Sequence, residues 1–236
     1  MPPRLPPLLD PPIGFAHRGA RAHTRENTLE AFELALRLGA TGLESDVWVT
    51  ADGVAVLDHD GVVGSWPRRR PMASVTAADR PDHIPTLADF YDLVGDEIPV
   101  SLDVKDDAAF AATVATARQF GAEEQLWLCH HELEVLRGWR HETTARLVDS
   151  TRLHRIKEGP ERRAARLQEL GIDAVNLRQT DWTGGLVTLF HRFERVAFGW
   201  DAQQPREIAE LVDIGIDGVF SDHVDRLHAV FSQFFD

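Results

Sequence analysis

The stretch Glu161–Ser221, ERRAARLQELGIDAVNLRQTDWTGGLVTLFHRFERVAFGWDAQQPREIAELVDIGIDGVFS, alternates two patterns three times. Amphipathic segments of helix length at Glu161–Leu170, Trp182–Arg192 and Pro205–Val212 are each followed by a short apolar run, at Ala174–Leu177, Arg195–Trp200 and Gly218–Ser221. Gly171 and Gly215 stand where the first and third helices must stop, as left-handed C-cap residues do. A helix laid between short apolar strands implies a parallel sheet with right-handed crossovers.

Working outward, the same alternation extends to the N-terminus. Strands are expected at Ile13–His17, Gly42–Val47, Ile98–Lys105, Gln125–Cys129 and Ala145–Asp149, with helices at Thr28–Leu38, Ala108–Phe120 and Glu132–Arg140. Gly39 and Gly121 fall at helix ends. That makes eight strands in a chain of 236 residues, which predicts an α/β fold of the (β/α)8 TIM-barrel type, a fold of about 250 residues. A doubly wound open sheet fits the periodicity as well. One piece breaks the alternation: Val47–Thr50 and Val54–Asp58 form a hairpin signal around Asp52-Gly53. The residues from Gly61 to Pro99 then read as an irregular loop insertion with one short helix, Leu87–Leu93. Residues 1–12 hold six prolines and read as an extended arm, leaving residues 13–236 as a single domain.

Composition narrows the function classes. Hydrophobic residues make up 43% and charged residues 27%, an ordinary globular balance. Lys and Arg number 25 against 38 Asp and Glu, a net charge of −13. That argues against nucleic acid as partner, since neutralising its phosphates needs a basic face. A small phosphate-containing substrate remains compatible, because a few local cations or a metal ion reverse the sign at one site. The single cysteine, Cys129, forms no internal disulfide, and no stretch reads as a secretion signal or a stable membrane insertion. A cytoplasmic protein is expected; the oligomeric state is not legible.

Active sites of such barrels lie at the C-terminal ends of the strands. In Gly-Leu-Glu44-Ser-Asp46-Val two carboxylates lie two residues apart and share one side of a strand. In Val-Ser-Leu-Asp103-Val-Lys105, Leu102 and Val104 face the helices, and Asp103 and Lys105 face the mouth. Three converging carboxylates are too costly to bury alone. Either a divalent cation holds them, Mg²⁺ or Ca²⁺ for an all-oxygen donor set, or a lysine–carboxylate network does. His17 ends the first strand and His59 ends the hairpin, both placed for acid–base work near neutral pH. Arg18 offers a planar fork for a phosphate oxygen. Asn27 with Glu30 resembles a capping box for the first helix, which leaves Glu26 free to point toward the site. Trp200, at the end of the seventh strand, serves either as an apolar wall for substrate or as core. His130-His131 reads as a solvated loop and Arg68-Arg69-Arg70 as solvated charge, while Gly184-Gly185, not followed by the lysine of a phosphate loop, has no nucleotide role.

Phe15-Ala-His17-Arg18-Gly-Ala, Glu26-Asn27-Thr28-Leu-Glu-Ala-Phe, Leu43-Glu44-Ser-Asp46-Val-Trp-Val-Thr-Ala-Asp-Gly and Asp58-His59-Asp60 together resemble the signature of the glycerophosphodiester phosphodiesterase family. Ile84-Pro-Thr-Leu, Asp103-Val-Lys105, Trp200 and Gly218-Val-Phe-Ser-Asp222 carry the likeness toward the C-terminus. The resemblance implies a (β/α)8 barrel that uses a divalent metal to cleave glycerophosphodiesters into glycerol 3-phosphate and an alcohol. It also implies Glu44, Asp46 and Asp103 as metal ligands, His17 and His59 as the acid–base pair, and Arg18 and Lys105 as phosphate contacts. Three features depart from the family pattern: Asp103 replaces the usual glutamate, Arg25 the usual proline, and only 43 residues separate His59 from Asp103. The Asp-x-Lys pattern is shared with sphingomyelinase D-like phospholipases, which implies a lysophospholipase D-like activity releasing cyclic phosphate as the alternative. A catalytically silent barrel that only binds phosphodiesters is the other.

Overall fold

A computed structural model describes residues 6–235. Eight parallel strands form the barrel: β1 (Ile13–His17), β2 (Gly42–Val49), β3 (Val100–Val104), β4 (Leu126–His130), β5 (Arg146–Ser150), β6 (Ala174–Arg178), β7 (Val196–Trp200) and β8 (Gly218–Ser221). Each pairs with the next, and β8 returns to β1 with Phe220 opposite Phe15, so the sheet closes. Closure decides against the open doubly wound sheet. The surrounding helices are α1 (Leu29–Arg37), α2 (Leu87–Val94), α3 (Ala109–Gln119), α4 (Leu133–Trp139), α5 (Pro160–Glu169), α6 (Gly184–Arg192), α7 (Pro205–Asp213) and α8 (Val224–Phe235). The last of these was not expected from the sequence. It buries Val224, Leu227, Val230 and Phe231, a spacing of three and four residues that places them on one helical face.

Side chains alternate across the barrel wall with a period of two. Phe15, Trp127, Cys129, Val148, Ala174, Phe198 and Phe220 fill the interior, whereas Leu43, Val47, Leu102, Val104, Leu128, Leu147, Val175 and Val219 pack against the helices. The interior is plugged by aromatic rings: Phe15 stacks on Phe220 at 4.5 Å and meets Phe198 edge-on at 5.4 Å. Two glycines make room for this plug. A Cβ at Gly42 would come within 2.7 Å of the Phe15 ring, and one at Gly218 within 2.7 Å of Phe198. The described part of the proline-rich arm is tied to the N-terminal end of the barrel, where Leu9 packs on the interior cluster and its N–H donates to Asp217 at 3.0 Å. Residues 1–5 of that arm lie outside the described residues.

The excursion after β2 is more ordered than expected. β2 runs straight into the hairpin, pairing antiparallel with Ala55–Leu57. Val62–Val63 and Arg70–Pro71 form a small ribbon. Val56, Val63, Met72, Val75 and Ile84 build a separate cluster beneath it. The helix α2 that ends the excursion is the second helix of the barrel ring. No helix among the described residues is long and apolar enough to cross a membrane.

Candidate active site

The C-terminal strand ends surround a cavity of about 480 Å³, lined by His17, Arg18, Glu44, Asp46, Asp103, Lys105 and Trp200 among others. The spacing argument holds in detail. Glu44 and Asp46 share the mouth side of β2, and Asp103 sits opposite Asp46 in the β2–β3 register.

His17 is the best-supported side chain of the site. Its Nδ1 lies 2.6 Å from Oδ1 of Asp222, the residue that follows β8, and its Nε2 lies 3.8 Å from Oε2 of Glu44. A carboxylate can only accept at Nδ1, so Nδ1 carries the proton and Nε2 is the atom free to exchange one. Burial works against the charged imidazole, yet Glu44 and the Asp222 bond outweigh it and raise the pKa of His17 above the ordinary value. Asp222, although partly buried, is held below the ordinary carboxylate value by the same pairing.

Glu44 is buried, and burial first, then the neighbouring Asp46, push its pKa up to about 7, against the pull of His17 and Arg18. The backbone N–H of Arg18 donates to its Oε2 at 2.9 Å. Arg18 adopts φ 54°, an uncommon region for a non-glycine residue. Its guanidinium places Nε 3.0 Å from Asp46 Oδ2 and Nη1 3.2 Å from both oxygens of Glu26. Lys105 reaches Asp46 Oδ1 at 3.1 Å and also pairs with Asp103. Ligand atoms of the three carboxylates do not close to within 4.8 Å of one another; Lys105 lies between two of them. The donor set nevertheless fits a hard divalent cation: three carboxylates on adjacent strands, one of them, Glu44, holding its proton near neutrality because it is buried beside Asp46.

Asn27 is not the N-cap of α1. That position belongs to Thr28, whose Oγ1 accepts from Ala31 N at 3.1 Å. Asn27 takes φ 54° instead, donates from Nδ2 to Asp46 Oδ2 at 3.3 Å and accepts from Ser45 Oγ at 2.8 Å. The tertiary demand of a buried carboxylate has outweighed the local capping preference. Glu26 does not line the cavity; it holds Arg18 and, at 2.7 Å, Arg21.

The structure does not bring His59 to the cavity. Its ring is 41% exposed, with Nδ1 2.8 Å from Asp60 Oδ1, in a turn closed by Gly61 N–H on Asp58 Oδ2. His130 also differs from expectation: it is buried at the end of β4, with Nε2 3.1 Å from Asp107 Oδ1, and lines a second cavity of about 250 Å³ beside Asp103 and Lys105. Arg68, Arg69 and Arg70 are exposed, as expected.

Several lining residues carried no sequence signal of their own. Two guanidinium groups approach the Trp200 ring, Arg152 at 5.7 Å and Arg178 at 5.9 Å from its centroid. These are paired in turn with Asp181 and Asp201. Trp200 therefore serves as a wall of the cavity as well as packing on the interior cluster. Asn176 is buried with Oδ1 lacking a hydrogen-bond partner, an acceptor open to whatever fills the cavity.

A closed eight-stranded barrel with a polar, charge-dense cavity at its C-terminal face defines a (β/α)8-barrel enzyme. The chain belongs to the glycerophosphoryl diester phosphodiesterase family, whose model matches residues 17–226. It is 27% identical to a Mycobacterium tuberculosis protein named "Probable glycerophosphodiester phosphodiesterase 2", over 92% of this chain and 90% of that one. Among solved structures, a Silicibacter pomeroyi protein superposes with a TM-score of 0.84 at 23% identity, over 99% of this chain and 96% of that one. An Oleispira antarctica phosphodiesterase, solved with the product sn-glycerol-3-phosphate, superposes with a TM-score of 0.79 at 18% identity, over 94% of this chain and 97% of that one.

Proposed function

We propose that this chain hydrolyses glycerophosphodiesters to sn-glycerol 3-phosphate and an alcohol, aided by a divalent cation, Mg²⁺ or Ca²⁺. The observation that carries the reading is the His17–Asp222 pair, set beside Glu44, Asp46 and Asp103 at the barrel mouth. Membership of the family supports it, as do the name of the mycobacterial relative and the product held by the Oleispira enzyme.

Glu44, Asp46 and Asp103 would hold the cation, whose charge supports the phosphoryl oxygens as the phosphorus is attacked. The side chains divide the remaining work. Lys105 has a third N–H beyond those directed at Asp46 and Asp103, and Arg18 has donors beyond the Nη1 spent on Glu26; both can meet a phosphate oxygen. Glu26 fixes the plane of Arg18. One of His17 and His59 takes the proton from the attacking glycerol hydroxyl, and the other returns a proton to the leaving alcohol. Water then opens the resulting cyclic phosphate. His17 acts through Nε2, with Asp222 holding its tautomer. His59 has to turn in from the rim, which its exposed position on the Asp58–Gly61 turn allows. Trp200 walls the alcohol side. A cytoplasmic location completes the reading, supported by a single buried thiol.

The test is a product assay on chelated protein, with Mg²⁺ or Ca²⁺ restored, using glycerophosphocholine, glycerophosphoethanolamine and lysophosphatidylcholine. Glycerol 3-phosphate from the first two is expected. Turnover of lysophosphatidylcholine alone would move the reading to a phospholipase D-like enzyme, and turnover of none to a binding barrel.

A further inference from the structure

A second cluster of metal-ligating side chains lies on the rim, outside the lining of the cavity. His23 belongs to the loop between β1 and α1; His223 and Asp225 belong to the junction of β8 and α8. One nitrogen or oxygen from each lies within 4.8 Å of those of the other two. His23 Nε2 is 3.0 Å from Asp225 Oδ1, and the two imidazoles meet edge to face with centroids 6.4 Å apart. The His23 and Asp225 side chains are 36% and 48% exposed, so an ion reaches them from solvent.

We propose that His23, His223 and Asp225 bind one transition-metal ion of the Zn²⁺ class. Two imidazoles and one carboxylate form a borderline donor set, which suits zinc rather than the hard cations. A tetrahedral zinc with ligand bonds of about 2.0–2.2 Å sets its ligands roughly 3.5 Å apart. The His23–Asp225 pair is already within that spacing, and His223, within 4.8 Å of both, has to close by at most about 1.3 Å. Its ring meets that of His23 edge-on, and among the described residues no hydrogen bond or ion pair to its ring competes with a metal. The backbone is already arranged for this. Ala22 N–H donates to Asp222 O at 3.2 Å, His223 N–H to Ser221 Oγ at 3.2 Å, and Leu227 N–H to His223 O at 3.0 Å. The ion would add a further tie between the two loops that flank the His17–Asp222 pair, across the seam where the barrel closes. It differs in donors and in place from the carboxylate set at the mouth.

The experiment is equilibrium dialysis of chelated protein against micromolar Zn²⁺ in millimolar Mg²⁺, so that the hard cation occupies the all-oxygen set. Wild type is expected to take up one Zn²⁺ per chain, and the His23→Ala/His223→Ala double variant none. Zinc at a hundredfold excess over its Kd should raise the thermal midpoint of wild type by about 5–10 °C and leave the double variant unmoved. Should the double variant fail to fold, Asp225→Asn serves in its place, with at least about tenfold weaker zinc binding expected. No zinc uptake by wild type, or equal uptake by a folded variant, overturns the proposal.

Discussion

Nδ1 of His17 lies 2.6 Å from Oδ1 of Asp222, joining residues 205 positions apart in the chain across the seam between β1 and β8. Barrel closure makes this pair: Ala16 stands opposite Ser221 in the register, so the two residues that follow come off adjacent strand ends together. The carboxylate both orients the imidazole and raises its proton affinity. Asp222→Asn removes the stronger acceptor, so the His17 titration midpoint in chelated protein is expected to fall. The direction follows from the Asp222 bond being one of the influences that raise it. Histidine NMR across the pH range reads this, and an unmoved midpoint would show that Asp222 does not act on His17.

His17→Ala and His59→Ala are each expected to lower kcat by at least about 10²-fold, the usual scale for a positioned acid or base. The two variants test different things. His17 already faces the cavity, whereas His59 has to move to it. Near wild-type turnover in His59→Ala, with an unchanged circular dichroism spectrum, would assign the second proton transfer elsewhere.

Asp103 is one methylene shorter than the glutamate usual in the family and is drawn to Lys105. If Asp103 is a cation ligand as proposed, the shorter side chain would loosen one side of the site and favour Ca²⁺, with its flexible geometry, over Mg²⁺. Asp103→Glu is expected to shift the Mg²⁺/Ca²⁺ activity ratio toward Mg²⁺. Identical ratios in variant and wild type would show that the missing methylene is accommodated by the strand.

Gly218→Ala places a methyl against the Phe198 ring, where the ideal Cβ position is 2.7 Å away. Overpacking of this kind typically costs about 1–3 kcal/mol, and a loss of that size lowers the thermal midpoint of a protein this large by about 2–4 °C per kcal/mol. Scanning calorimetry checks it. No change in midpoint would mean that the aromatic plug yields freely.

Glu123 ties the β3–β4 connection to the β4–β5 connection. Slight burial pushes its pKa up, but bonds from Arg118 (2.8 and 2.9 Å), Thr143 (2.5 Å) and Thr144 N–H (3.0 Å) outweigh this and lower it from 4.5 to about 2. A carboxyl whose folded pKa is depressed adds stability in full above its unfolded value and loses it as the pH falls through the folded one. The contribution is therefore present above pH 4.5 and fades toward pH 2. Glu123→Gln should lower the urea midpoint at pH 7 and show a shallower loss on acidification than wild type. Parallel acid limbs for the two proteins would contradict the assignment.

Much of the barrel was legible because its signals are local. Asp103 and Lys105 face the mouth, and Leu102 and Val104 the helices, as the period of two required. What escaped was tertiary. Asn27 and Thr28 are both good N-caps, and only the demand of Asp46 and Ser45 for an amide decides between them. Helix α8 has a clear apolar face, at Val224, Leu227, Val230 and Phe231. Asp222 lay within a motif of the matched stretch, yet its bond to His17 exists only once the sheet closes. Arg152 and Arg178 reach the Trp200 ring only because β5, β6 and β7 lie side by side in the sheet.

The products of the proposed reaction are read directly by ³¹P NMR. Wild-type protein with Mg²⁺ and glycerophosphoethanolamine is expected to convert the diester signal into that of glycerol 3-phosphate, with loss of the conversion on chelation. A diester signal that stays unchanged with folded, Mg²⁺- or Ca²⁺-supplied protein, or that ends as cyclic phosphate, would contradict it.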